Sequence, residues 1–183
     1  MENRRLFISL PLDPALAKQI VTKFKQLDLP WEKLKTVDPS QIHINLKFLG
    51  DTPMDRIPEI IDVLNQASLK INYLELDIIG TAIFNKNRPQ VLSLKIALNQ
   101  KLQKLQNSIE EKLFQAGLAN KDMRRFSPHL TLARVKKLAD FQEFKNFTDW
   151  PIQQSFNNSY FELQESELTK QGPLHTVLQT FDL

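Results

Sequence analysis

Residues 42–49 read IHINLKFL and residues 128–135 read PHLTLARV. The two segments share one order of residue types: His43-Ile44-Asn45-Leu46 in the first and His129-Leu130-Thr131-Leu132 in the second. The alternation predicts a β-strand in each, because successive strand side chains point to opposite faces with a rise of about 3.3 Å per residue. His43 and Asn45 then share one face while Ile42, Ile44 and Leu46 share the other; His129 and Thr131 are set against Leu130 and Leu132 in the same way. About half of the 183-residue chain separates the two histidines, the spacing of two related lobes.

Outward from these strands the chain alternates strands and helices. Leu6 to Leu12 (LFISLPL) reads as a strand, and Pro14 opens a helix whose Leu16, Ile20, Val21, Phe24 and Leu27 follow helical spacing. Residues 31–40 read as a loop, with the strand 42–49 stopped by Gly50-Asp51. A helix is predicted over 58–68, then strands 71–84 and 91–97 about the turn NKNRP, and a helix over 98–116 with Leu98, Leu102, Leu105, Ile109 and Leu113 on one side and Gly117 as its C-terminal cap. A strand at 129–135, a short helix at 139–147 and strands at 155–163 and 174–181 complete the reading. Short turns between strands predict largely antiparallel or mixed pairing, hence an α+β fold in one domain, residues 1–183.

Composition excludes several chemistries. The absence of Cys removes thiol nucleophiles, Cys-ligated zinc, iron–sulfur clusters and disulfides. The four glycines, Gly50, Gly80, Gly117 and Gly172, are too scattered for a phosphate-cradling GxxxxGK[ST] loop or a GxGxxG dinucleotide turn. The N-terminal apolar run is too short for a secretion signal and ends at Pro11 and Asp13, and no stretch approaches the ~20 apolar residues of a membrane span. A cytoplasmic protein without membrane contact is expected.

Two strand histidines beside neutral hydrogen-bonding groups suit one reaction. If the strands lie side by side across a pseudo-twofold, an imidazole flanks each side of a groove. In-line displacement at a phosphodiester needs a base at the incoming oxygen, an acid at the leaving oxygen, and donors for the nonbridging oxygens. Imidazole can take either proton role near neutral pH. A zinc site is the rival use of histidine, but no HExxH or other tight ligand spacing is present. His175 lies in Leu174-His175-Thr176-Val177-Leu178, where Val replaces the polar partner, and reads as structural.

These motifs, together with LFISLPL, IHINLKFLG, Pro89-Gln90-Val91-Leu92, FSPHLTLARV and the late Glu165-Ser166, resemble the two-histidine (2H) phosphoesterase superfamily, in its RNA 2′,3′-cyclic phosphodiesterase branch, also called 2′-5′ RNA ligases. The resemblance implies a bilobal LigT-like fold, two pseudo-symmetric lobes of mainly antiparallel sheet with flanking helices around a central cleft. It implies metal-free hydrolysis of terminal 2′,3′-cyclic phosphates to 2′-phosphates, with no cofactor, on RNA 3′ ends or nucleotides, by a monomer. By position, His43 would protonate the departing 3′ oxygen and His129 activate water, an assignment that can be swapped, with Thr131 and Arg134 on the phosphate. Asn45 stands where the family pattern has Thr or Ser, offering an amide in place of a hydroxyl. Phe48 matches a base-stacking position, yet strict alternation puts it with Ile44 and Leu46 in the core; the same parity argument turns Arg134 away from His129. Two other functions stay open: a nucleotide- or RNA-binding module of the same fold with weakened catalysis, and a small-molecule cyclic phosphodiesterase.

Charge points to the same place. The total is only +3, but residues 121–137 hold six Lys/Arg against one Asp, a net of +5, so the rest of the chain is slightly acidic. The segment reads as an anion-binding patch. Whether Arg124, Arg125, Lys136 and Lys137 meet phosphate or only solvent is left open by the sequence.

Overall fold

The computed structural model describes residues 2–169 and 172–183. Among them are the strands β1 (Asn3–Pro11), β2 (Leu34–Thr36), β3 (His43–Pro53), β4 (Leu74–Phe84), β5 (Val91–Ile96), β6 (His129–Val135), β7 (Gln154–Asn158), β8 (Tyr160–Thr169) and β9 (Gly172–Asp182), and the helices α1 (Pro14–Lys25), α2 (Ile57–Ala67), α3 (Gln100–Gln115) and α4 (Lys145–Thr148). The strands form one sheet in the order β7-β4-β5-β6-β3-β1-β8-β9, with β2 attached to β6. Every pairing is antiparallel. The α+β class and the two-lobed layout are as expected.

The two halves repeat one run of elements. β1-α1-β3-α2-β4 is matched by β5-α3-β6-α4-β8, with β2 inserted in the first run and β7 in the second. Each run ends by crossing over: β4 pairs with β5 of the second run, and β8 pairs with β1 of the first. The histidine strands β3 and β6 meet in the middle through Ile44 opposite Leu130.

One face of the sheet is apolar and carries the helices. Ile42, Ile44, Leu46, Leu130 and Leu132 are buried in the same core as Ile20 and Phe24 of α1, Ile60 and Leu64 of α2, and Leu102, Leu105 and Ile109 of α3. Local signals set the helix ends. Asp13 caps α1 by accepting from Leu16 N (2.9 Å), and Asn99 caps α3 by accepting from Leu102 N (2.9 Å). Gly117 closes α3 as expected, with its amide on Phe114 O and the next amide on Leu113 O. Among the described residues no helix is long and apolar enough to cross a membrane.

Four expectations need correction. Within the predicted loop 31–40, residues 34–36 form β2 by pairing with β6 of the other half, a partner no local pattern discloses. The predicted helix 139–147 is a 3₁₀ turn at Phe141–Phe144 followed by the single turn α4, so only its last part is α-helical. The predicted strand 155–163 is two strands, because the chain changes lobes near Ser159: β7 pairs with β4 and β8 with β1. Finally, β3 does not stop at Gly50-Asp51 but runs to Pro53, passing an irregularity at Leu49 where Gly50 has φ +73°.

The two histidine strands share a further irregularity. Between Ile8 and Ser9 the partner on β3 steps from Lys47 to Asn45, leaving Leu46 as an extra residue. Between Leu92 and Ser93 the partner on β6 steps from Ala133 to Thr131, leaving Leu132. A bulge thus falls on the leucine of each His-x-polar-Leu motif, and a bulge moves the alternation one residue out of phase. Leu46 and Lys47 are both buried in consequence, as are Leu132 and Ala133.

Turned inward, Lys47 needs counter-charges. Its Nζ lies 2.8 Å from Glu110 Oε1, 3.0 Å from Asp122 Oδ2 and 2.8 Å from the carbonyl of Asn120, tying α3 and the segment leading to β6 against β3. Lys47→Ala leaves the partly buried Glu110 and the exposed Asp122 without their cation and is expected to lower stability by about 1–3 kcal/mol. Urea unfolding of the variant against the wild type measures this.

Candidate active site

The polar face of β3 and β6 floors a groove of about 780 Å³. Continuing the register of Ile44 opposite Leu130 sets His43 opposite Thr131 and Asn45 opposite His129, so each imidazole faces a hydrogen-bonding side chain across the strand pair. His43, Asn45, His129 and Thr131 all line the groove.

The bulges settle the parity question. Phe48 and Arg134 occupy equivalent places, five residues after His43 and His129, and both come round to the groove rather than the core. Phe48 is 46% exposed, with the Arg5 guanidinium 5.0 Å from its ring centroid. The reading of Phe48 as a core residue is thereby overturned. All six site residues expected from the sequence are brought to one groove.

Both histidines are held alike. The Nδ1–H of His43 donates to the carbonyl of Gln41 (2.8 Å), and that of His129 to the carbonyl of Ser127 (2.9 Å), in each case two residues earlier. A carbonyl only accepts, so Nδ1 carries the proton and the neutral ring offers the Nε2 lone pair. Phe7 packs against His43 (centroids 5.0 Å apart) and Phe84 against His129 (4.7 Å), fixing the ring planes.

The surroundings of the two rings differ. Burial pushes the His43 pKa down to about 4, against the pull of the Gln41 carbonyl and with help from His175, His129 and Arg134. His43 is therefore neutral at physiological pH.

Of the charged groove residues, Arg5, Lys35 and Asp38 were not singled out from the sequence, and His175, expected to be structural, lines the groove as well. Arg5 and Lys35 add positive charge, and His175 of β9 stands on the wall. Arg5 could have been found: it shares a face of β1 with Phe7, opposite buried Leu6 and Ile8. Lys35 arrives through β2, whose pairing with β6 is tertiary, and His175 through the β8–β9 hairpin, which reaches the groove because β8 pairs with β1. The reverse holds for the basic segment, in which Arg134 is the cation that lines the groove; Arg124, Arg125, Lys136 and Lys137 are exposed away from it. Lys121 pairs with Glu111 instead.

Matching polar strands in a swapped two-lobe sheet can be compared with known proteins. A family model described as the 2′-5′ RNA ligase superfamily matches residues 12–164. The chain belongs to this family. The RNA 2′,3′-cyclic phosphodiesterase of Methanocaldococcus jannaschii is 29% identical over 179 residues, 96% of this chain and 98% of that one. Its namesake from Thermus thermophilus is 30% identical over 160 residues, 84% and 78% of the two chains. A crystal structure of a Thermus thermophilus protein superposes with a TM-score of 0.78 at 26% identity, covering 98% and 97%. E. coli LigT complexed with 3′-AMP gives 0.78 at 20% identity over 100% and 99%, a likeness of fold. At the level of the family, the chain is a phosphodiesterase.

The low pKa of His43 has a measurable sign. Unfolded imidazole titrates near 6.5 and folded His43 near 4, so between these values the unfolded chain binds a proton that the folded chain refuses. Stability should fall as pH drops through that window. Urea unfolding at about pH 7 and about pH 5 measures the slope, and His43→Gln should flatten it.

Proposed function

We propose that the protein hydrolyses terminal 2′,3′-cyclic phosphates of RNA or nucleotides to 2′-phosphates by acid–base catalysis with two histidines. The observation that carries this reading is the pair of imidazoles anchored identically through Nδ1, each opposite a hydrogen-bonding side chain in one cationic groove. The names of the relatives support the substrate class.

In this mechanism His129 Nε2 takes a proton from water as its oxygen attacks phosphorus, and the bond from phosphorus to the 3′ oxygen breaks. His43 Nε2–H protonates that oxygen, leaving a 3′ hydroxyl and a 2′-phosphate. Thr131, Asn45 and Arg134 hold the nonbridging oxygens where charge accumulates. Phe48 stacks on the terminal base, a contact worth about 1–3 kcal/mol.

The acid role demands a proton that His43 lacks in the free protein. It is taken up with substrate, whose phosphate charge favours imidazolium. Binding of 2′-AMP near neutral pH is therefore expected to absorb a proton, seen in calorimetry as an enthalpy that depends on the buffer's ionisation enthalpy. Release or no change would instead make His43 the base and His129 the acid.

The activity itself is tested with an oligoribonucleotide ending in 2′,3′-cyclic phosphate, in EDTA, with the product identified. His43→Ala and His129→Ala are each expected to lower kcat by about 10²–10⁴-fold. Asn45→Thr, which restores a hydroxyl, should raise the rate. A nucleotide-binding protein with weakened catalysis is the second reading, favoured by Asn45 itself; binding of 2′-AMP without turnover would establish it.

A further inference from the structure

The two flanks of the groove are furnished differently. On the His129 side, Thr131 and Arg134 offer a hydroxyl and a guanidinium. On the His43 side stand Asn45 and, in the place equivalent to Arg134, Phe48 with the Arg5 guanidinium 5.0 Å from its ring centroid. His175 stands on this flank. Its ring centroid is 5.4 Å from that of His43 at 68°, and Phe7 touches both rings, with its edge contact to His175 at 4.8 Å.

The spacing of the two rings is built in. Gln41 accepts the His43 Nδ1–H through its backbone carbonyl, and its own side-chain Nε2 donates to the carbonyl of Pro173 (2.9 Å), two residues before His175. On the same hairpin a Cβ at Gly172 would stand 2.9 Å from Lys35 Nζ, so the start of β9 lies against the Lys35 side chain of β2.

The nitrogens of His175 reverse the pattern of the other two rings. Its Nδ1 is shut off from solvent and bonded to nothing, while Nε2 is not among the buried orphan atoms. A buried N–H without an acceptor is costly, so the favoured neutral tautomer keeps the proton on Nε2 of a ring that lines the groove. Burial, then the charge of Arg134, lowers the His175 pKa, which keeps the ring neutral beside its cationic neighbours.

We propose that His175 is a third substrate-contacting histidine, donating Nε2–H to a phosphate oxygen on the His43 flank where the second lobe has no counterpart. Its contribution to turnover rests on the phosphodiesterase reading above; its contact with phosphate does not. The protein has three histidines, so its imidazole nitrogens can be resolved in a long-range proton–nitrogen correlation spectrum and assigned with His175→Phe, which keeps a ring against Phe7.

The expected result is two rings protonated at Nδ1 and His175 protonated at Nε2, with its Nε2–H shifting on addition of inorganic phosphate or 2′-AMP. An Nδ1-protonated His175, or one that stays unmoved while His43 and His129 shift, overturns the proposal. In turnover of the cyclic phosphate, His175→Phe should lower kcat/KM by roughly 10–100-fold, below the loss typical of a full oxyanion donor. His175→Gln, whose amide reaches the place of Nε2, should recover most of it. Wild-type rates in His175→Phe also overturn the proposal. If the wild type does not turn the substrate over, the phosphodiesterase reading fails and the spectra alone decide the contact.

Discussion

Everything in the groove depends on the antiparallel meeting of β3 and β6 at Ile44 and Leu130. That contact joins the two lobes of the sheet at its centre. It buries the two apolar residues on the helix side, and by alternation it presents both histidines on the other. A slip of one residue would send the imidazoles into the core and the leucines into the groove, so burial of Ile44 and Leu130 enforces the register on which the chemistry stands. The crossing of β4 and β8 between lobes then ties the halves together, so that the groove lies within one continuous sheet.

The paired bulges adapt that register to a reactive site. A regular strand would place every second residue in the groove and bury the position five after each histidine. The extra residues Leu46 and Leu132 reverse this, bringing Phe48 and Arg134 to the groove at the same step of each lobe. The cost is a lysine turned inward at position 47, which the carboxylates of Glu110 and Asp122 offset. At the equivalent place in the other lobe stands Ala133, which needs no partner.

Electrostatics follow from this gathering of groups. Arg5, Lys35 and Arg134 face three imidazoles in a shared space, and neither Arg5 nor Arg134 has a carboxylate partner among the described residues. Burial first, and then the charge of Arg134, disfavour protonation of His43 and His175, as their lowered pKa values record. An entering phosphate relieves the same repulsion, which couples anion binding to the proton state of the imidazoles. The groove is symmetric in its backbone and asymmetric in its chemistry: on one flank the place five residues after the histidine holds a guanidinium, on the other an aromatic ring with Arg5 of β1 over it.

By itself the sequence determined the strand pair, the helices and the central site residues, because alternation, helical spacing and capping are local. His43, Asn45, His129 and Thr131 were legible from two tetrapeptides. A second echo, Ile8-Ser9-Leu10 against Leu92-Ser93-Leu94, marks the neighbouring strands of the two lobes, where Ser9 and Ser93 sit opposite Asn45 and Thr131. Only the tertiary structure decided that Phe48 and Arg134 face the groove, since a bulge is a property of two paired strands rather than of one. The same holds for Lys35, brought in by the pairing of β2 with β6 of the other lobe, and for His175, brought in because the β8–β9 hairpin joins the sheet at β1. It holds too for the basic run, whose exposed lysines and arginines look relevant by count, while the charge that lines the groove comes from three separate strands.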